Sequence, residues 1–141
     1  MELIEQLKRH EGFRSKPYHC TAGKLTIGYG RNLDDVGISR SEAEKLLKND
    51  IQECIVQLHA RFPAVEKLDT IRFDCLINMC FNLGIHRLSK FKKMWEAIEE
   101  GKYQRASEEM LDSKWANQVG VRAQELAYQM LTGKYYGKEK G

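Results

Sequence analysis

The chain has 141 residues, 42% of them hydrophobic and 30% charged, with 23 Lys and Arg against 20 Asp and Glu for a net charge of +3. A chain of this length buries roughly 68–70% of its unfolded surface, so it needs no metal or disulfide staple, and its composition excludes wholesale disorder. No run reaches the roughly 18 consecutive apolar residues of a membrane span, so no stable membrane insertion is expected.

Leu3, Ile4 and Leu7 give one apolar face to a first helix over residues 2–11, ended by Gly12. From Arg14 to about Val36 the pattern becomes strand-like. Tyr18 and Leu25-Thr26-Ile27 read as strands, Thr21-Ala22-Gly23-Lys24 as the turn between them, and the whole as a small antiparallel sheet. Gly28 and Gly30 bracket Tyr29 and imply a close backbone approach or a sharp bend. Ser39-Arg40-Ser41-Glu42 fits a capping box. It opens a helix to about Arg61, striped by Leu47, Ile51, Cys54, Ile55 and Leu58 and closed by Pro63. More than twenty helical residues span about 30 Å, long enough to connect two lobes.

Asp69 caps a helix to about Asn82, closed by Gly84. Its apolar residues, from Phe73 through Cys75, Leu76, Ile77, Met79 and Cys80 to Phe81, lie nearly all round it, as at the centre of a bundle. Further helices are predicted over residues 90–99, 103–111 and 121–131. The expected class is α+β, mostly α, with a small N-terminal antiparallel β lobe and a helical C-terminal lobe joined by a long helix. In residue terms this is one domain: an N-terminal helix (1–12), a β lobe (13–38), a connecting helix (39–61), a helical lobe (62–133) and a flexible tail (134–141).

The charged N-terminus MELIEQLKRHEG lacks the apolar centre of an export signal, so the chain is expected to remain in the cytoplasm with reduced thiols. Its four cysteines form no close pair of metal-ligand spacing, and no metal or other cofactor is expected. Cys54, Cys75 and Cys80 fall in apolar stretches and read as core. Cys20 sits in a polar turn. The mild positive charge favours approach to anionic surfaces without selecting one. No helix carries the concentrated basic face of a phosphate-tracking protein, so nucleic acid is not an expected partner.

Glu11 ends a helix beside a glycine, where the macrodipole disfavours a negative charge, and partial burial would act in the same direction. A carboxyl that keeps its proton near neutrality suits glycosidic cleavage, because the leaving oxygen must be protonated. The plainer reading is an exposed last-turn glutamate. Cys20 and Thr26 flank the turn; if the strands pair, they face one another across its mouth. Thr26 alone reads as a β-branched strand residue.

Glu11, Cys20 and Thr26 are spaced E, eight residues, C, five residues, T. That spacing, with EGFR at residues 11–14 and TIGYG at residues 26–30, resembles the phage-type lysozymes (endolysins) of the T-even phage lysozyme family, glycoside hydrolase family 24. FNLGIHRLSKF (residues 81–91) resembles the family's segment in the central helix and the loop after it, and WANQVGVR (residues 115–122) its stretch before the last large helix. The resemblance covers essentially the whole chain and implies a lysozyme-like fold.

It further implies an N-acetylmuramidase that hydrolyses the β-1,4 bond between N-acetylmuramic acid and N-acetylglucosamine in peptidoglycan with inversion of configuration. Glu11 takes the general-acid position and Thr26 that of the hydroxyl holding the attacking water. Arg122 matches the arginine that pairs with the catalytic glutamate, Gln118 a polar residue near it, and Asn82 an amide facing the cleft between lobes. Tyr29 is a further candidate substrate-binding or supporting residue. Arg122 also fits a solvated helix start, and Gln118 and Asn82 ordinary surface positions. An endolysin would wait in the infected cell's cytoplasm as a monomer until a holin releases it to the wall, without direct contact between the two.

Two departures from the family pattern stand out. Arg31 replaces a common histidine, which touches only a structural ion pair. Cys20 replaces a common aspartate, which touches the mechanism. A free thiol near pKa 8.5 is mostly neutral at pH 7, and a positive neighbour would lower it; Lys24, His19 and Arg31 are near in sequence. Either the site makes a thiolate, or Cys20 supplies a weak dipole and Thr26 orients the water largely alone. Two other readings compete. A lytic transglycosylase needs Glu11 but not the Cys20–Thr26 pair, and a silent wall-binding module needs neither.

Overall fold

The computed structural model describes residues 1–137. Among them are eight α-helices and one three-stranded antiparallel sheet, the α+β, mostly α class expected. The chain divides into two compact units, Met1–Leu47 and Lys48–Gly141.

In the first unit, α1 (Glu2–Glu11) ends where Gly12 returns its N–H to Lys8 O at 2.9 Å. The sheet follows in the order β1 (Arg14–His19), β2 (Leu25–Gly28), β3 (Arg31–Asn32). Tyr18 pairs with Thr26 and His19 with Leu25, and Ile27 pairs with Arg31 on the other side. The turn at residues 21–24 is closed by Cys20 N–H to Lys24 O at 2.9 Å and Gly23 N–H to Cys20 O at 2.8 Å. Beyond β3 the chain folds back on the sheet, with Asp34 Oδ2 accepting from Leu25 N–H at 2.7 Å.

The capping box forms as the sequence indicates. Ser39 Oγ accepts from Glu42 N–H at 3.1 Å, and Glu42 Oε1 accepts from Ser39 N–H at 2.9 Å, opening α2 (Arg40–Arg61). The same carboxylate receives both arms of Arg31, at 2.8 and 2.5 Å, while Arg31 Nη1 also donates to Gly37 O at 3.0 Å. The end of the sheet is thereby tied to the start of α2. Arg31 first, and the Ser39 N–H second, hold the Glu42 carboxyl down to about 2.

The α2 stripe is narrower than expected. Cys54 and Leu58 are buried and Ile51 and Ile55 pack against the core, but Leu47 is exposed. Pro63 starts a 3-10 turn (Pro63–Lys67) after α2 ends. Asp69 caps α3 (Thr70–Leu83) by accepting from Arg72 N–H at 3.1 Å. Helices α4 (Ile85–Leu88), α5 (Lys92–Glu99), α6 (Tyr103–Leu111), α7 (Lys114–Val119) and α8 (Val121–Thr132) follow. The sequence reading missed α4, α7 and the 3-10 turn, which are too short to display a helical period.

Leu76, Met79 and Cys75 of α3 are sealed in the core with Met94, Met110, Leu126 and Met130. The helix is not apolar all round: Asn78, Phe81 and Asn82 lie exposed. Arg72 clasps the end of α8, donating to Met130 O at 2.7 Å and Leu131 O at 2.9 Å, with its guanidinium 3.9 Å from the Tyr103 ring centroid. Carbonyls left without partners at a helix end are thus satisfied by a cation. Of the expected tail, residues 138–141 lie outside the described residues. Tyr135 donates its hydroxyl to Asp74, and the Tyr136 ring meets Tyr128 edge-on at 5.5 Å.

Leu76→Ala should cost about 2–5 kcal/mol in denaturant unfolding, the range for a fully enclosed leucine. The Glu42 carboxyl titrates lower folded than unfolded, so its contribution is complete above about pH 4.5 and lost as the pH falls toward about 2. The wild-type unfolding midpoint should therefore fall more steeply across that window than that of Glu42→Gln. Because the pair is exposed, salt should shrink the difference.

Candidate functional site

The turn closing β1 and β2 places Cys20 two residues beyond Tyr18, the direct partner of Thr26. Side chains alternate along a strand, so Tyr18, Cys20 and Thr26 share one face of the sheet. Cys20 is therefore the diagonal neighbour of Thr26, not its opposite partner as the strand reading implied. Thr26 is buried, 3% exposed, whereas Cys20 is half-buried and the more accessible of the two.

The Cys20 thiol lies below its ordinary value, chiefly through the Lys24 backbone N–H, then the Ala22 N–H, with the Thr26 hydroxyl contributing less. Both amides belong to the turn itself. Of the three basic side chains near in sequence, Lys24 Nζ is committed to Asp35 at 3.2 Å and Arg31 to Glu42, and His19, next to Cys20 in the chain, faces the other side of the sheet. The agent is thus oriented backbone dipole. Thr26 has one hydroxyl hydrogen and two acceptors, Lys24 O at 2.9 Å and the Cys20 sulfur. A thiolate accepts more strongly than a neutral thiol, so ionisation draws that hydrogen toward sulfur.

Glu11, the last residue of α1, is exposed, so the partial burial expected of it does not arise. Its carboxyl nevertheless lies close to the backbone of the β2–β3 turn. A Cβ at Gly30 would stand 2.6 Å from Glu11 Oε2, and Gly30 has φ +78°. The positive φ favours glycine there, and an added methyl group would have to push the Glu11 carboxyl aside. Beside it Tyr29 is exposed, its ring 5.4 Å from Phe13 and 5.6 Å from Lys8 Nζ. Phe13, 65% exposed, was missed in the sequence; an aromatic directly after the Glu-Gly step was the available signal.

The remaining candidates belong to the second unit. Asn82 Oδ1 accepts from Trp115 Nε1 at 2.7 Å, which fixes the amide. Arg122 donates to Asn78 Oδ1 through Nε at 3.0 Å and Nη2 at 2.7 Å. Gln118 is exposed in the last turn of α7. Asn78 and Trp115 are additions to the sequence reading. Asn78 and Asn82 stand four residues apart on one face of α3, a spacing that could have revealed the polar stripe.

A family model described as phage lysozyme matches residues 8–129. An endolysin of Acyrthosiphon pisum secondary endosymbiont phage 1 is 32% identical over 114 residues, covering 78% of this chain and 74% of its own length. An endolysin of Bacillus phage B103 is 34% identical over 83% of this chain, which spans 45% of that longer protein. A Dictyostelium discoideum protein named "Probable T4-type lysozyme 2" is 30% identical, with 93% of this chain and 94% of its own covered.

Iodoacetamide should modify Cys20 first, its rate rising with pH at a lower midpoint than that of a free thiol. Burial pushes the Cys75 thiol up and the Cys80 thiol up to about 12, so both should resist in the folded chain. Peptide mass spectrometry across a pH series reads each site, and a Cys20 profile superimposable on glutathione would contradict the role given to the turn amides.

Proposed function

Since this chain belongs to the phage lysozyme family, we propose that it is an endolysin N-acetylmuramidase, hydrolysing the β-1,4 bond between N-acetylmuramic acid and N-acetylglucosamine by single displacement with inversion. The observation that carries the reading is that one short unit supplies both parts of such a reaction. It places a carboxyl, Glu11, beside Gly30, and it turns two backbone N–H donors toward a thiol, Cys20, at the position where the family pattern has an aspartate.

In this mechanism protonated Glu11 gives its proton to the glycosidic oxygen. The bond from that oxygen to C1 of the muramic residue breaks, and the electron pair leaves on the oxygen as a hydroxyl of the glucosamine residue. Water attacks C1 from the opposite face while the Cys20 thiolate takes its proton, with Thr26 orienting thiolate and water. The cycle ends with Glu11 ionised and Cys20 protonated, and proton exchange with solvent resets both. Negative sulfur also opposes the positive charge developing on the sugar ring. Tyr29 and Phe13 offer exposed ring surface for a sugar face. Arg122, Gln118 and Asn82 take supporting positions, in line with the family pattern.

No helix among the described residues is long and apolar enough to cross a membrane. The proposal includes residence in the infected cell's cytoplasm as a monomer, with access to the wall after a holin has opened the membrane.

Glu11→Gln should keep the wild-type circular dichroism spectrum and lose nearly all activity on purified peptidoglycan. Clearing at the wild-type rate would refute the general-acid role. Products should carry a reducing muramic end; an anhydro product, lighter by one water, would mark a transglycosylase. Gly30→Ala should depress kcat more than KM, because the added methyl group displaces the Glu11 carboxyl.

A further inference from the structure

Within the second unit a cavity of about 570 Å³ opens between the segment around α4 and α5 and the end of α6. Its size falls in the roughly 300–1,000 Å³ range of ligand sites. Five cations line it: Arg87, Lys90, Lys92, Lys93 and Lys114. None enters an ion pair among the described residues. Glu109 and Asp112 also line the cavity and offset two of these charges, so three positive charges remain unmatched in one concave site. Like charges held together at the rim of a cavity repel one another and raise the local concentration of anions. The catalytic reading uses none of them.

We propose that this cavity is a subsite for a polyol-phosphate chain, the phosphodiester-bearing polymer class attached to some bacterial walls. Three unmatched cations call for several anionic charges in succession, and a polyol phosphate supplies one at every repeat. A single carboxylate would leave the excess unanswered. Lysine ammonium groups act on phosphate as mobile point charges and need no fixed fork geometry. The flexible backbone of such a chain can follow them.

A nucleic acid carries the same diester but also bases that need aromatic platforms. Trp115, the largest ring lining the cavity, is 3% exposed, its N–H is committed to Asn82 and its ring meets Phe91 at 77°. Trp115 does not lie open to a stacked base, and Phe91, the other ring of the lining, is half-buried with the Trp115 ring edge-on to it, which favours the polyol chain. The inference rests on the wall-lytic reading only for the identity of the ligand.

The test is calorimetric titration of the full chain with a synthetic glycerol-phosphate oligomer, alongside polyglutamate and a single-stranded oligonucleotide of equal charge. Saturable binding of the glycerol-phosphate oligomer, tighter than that of either control, is expected. It should weaken about tenfold in the Lys92→Gln, Lys93→Gln double variant, with a shallower salt dependence and an unchanged circular dichroism spectrum. Should that variant unfold, Lys114→Gln alone provides the same comparison at one cation. Glu11→Gln should bind the oligomer as the wild type does, so a failure of the general-acid role leaves this result untouched. No saturable binding, equal or tighter binding of either control, or indifference to the lysine substitutions would overturn the proposal.

Discussion

One carboxylate holds the first unit in register. Glu42 closes the capping box of α2 through Ser39 and receives both arms of Arg31 from the last strand. The first contact orients the helix start and the second fixes the edge of the sheet against it, so neither element is placed independently. A histidine at residue 31 could pair with a carboxylate but could not present two parallel donors. Arginine adds a third contact, to Gly37 O, which holds the loop between strand and helix. The sheet so anchored carries Thr26 and, through the turn beyond β1, Cys20.

The thiol in that turn illustrates how a neutral group can occupy a position suited to an anion. An aspartate is ionised by its own chemistry. A cysteine needs help, and here the help comes from the Lys24 and Ala22 amides, which the tight turn aims at the sulfur. Such dipoles carry no net charge. The lysine whose amide contributes most sends its ammonium to Asp35, and the arginine that might have served is locked to Glu42. Separation of these roles lets one short loop be both a thiol-activating turn and a braced sheet edge.

The second unit uses its charges differently. Arg72 is spent on internal order, filling the carbonyl end of α8 while lying over Tyr103. The cations from Arg87 to Lys93 line a cavity and enter no ion pair among the described residues. Both arrangements draw on basic residues scattered through polar sequence. The first is enclosed by its own partners; the second remains open to a ligand.

Much of the architecture was legible in the chain. The capping box at Ser39, the cap at Asp69, the glycine stops and the turn at residues 21–24 are local devices, each decided by neighbours within a few positions. The E, C, T spacing likewise marked the candidate site. Residue spacing could not reveal that Glu11 stays exposed beside Gly30, that Cys20 lies diagonal to Thr26, or that Trp115 holds Asn82. These depend on strand register and on contacts between residues far apart in sequence, as for Asn78 with Arg122. Local patterns determined which elements form, because their hydrogen bonds close within a turn or two. Only the tertiary structure decided which side chains meet, because burial, register and charge pairing are settled by all the packed elements together.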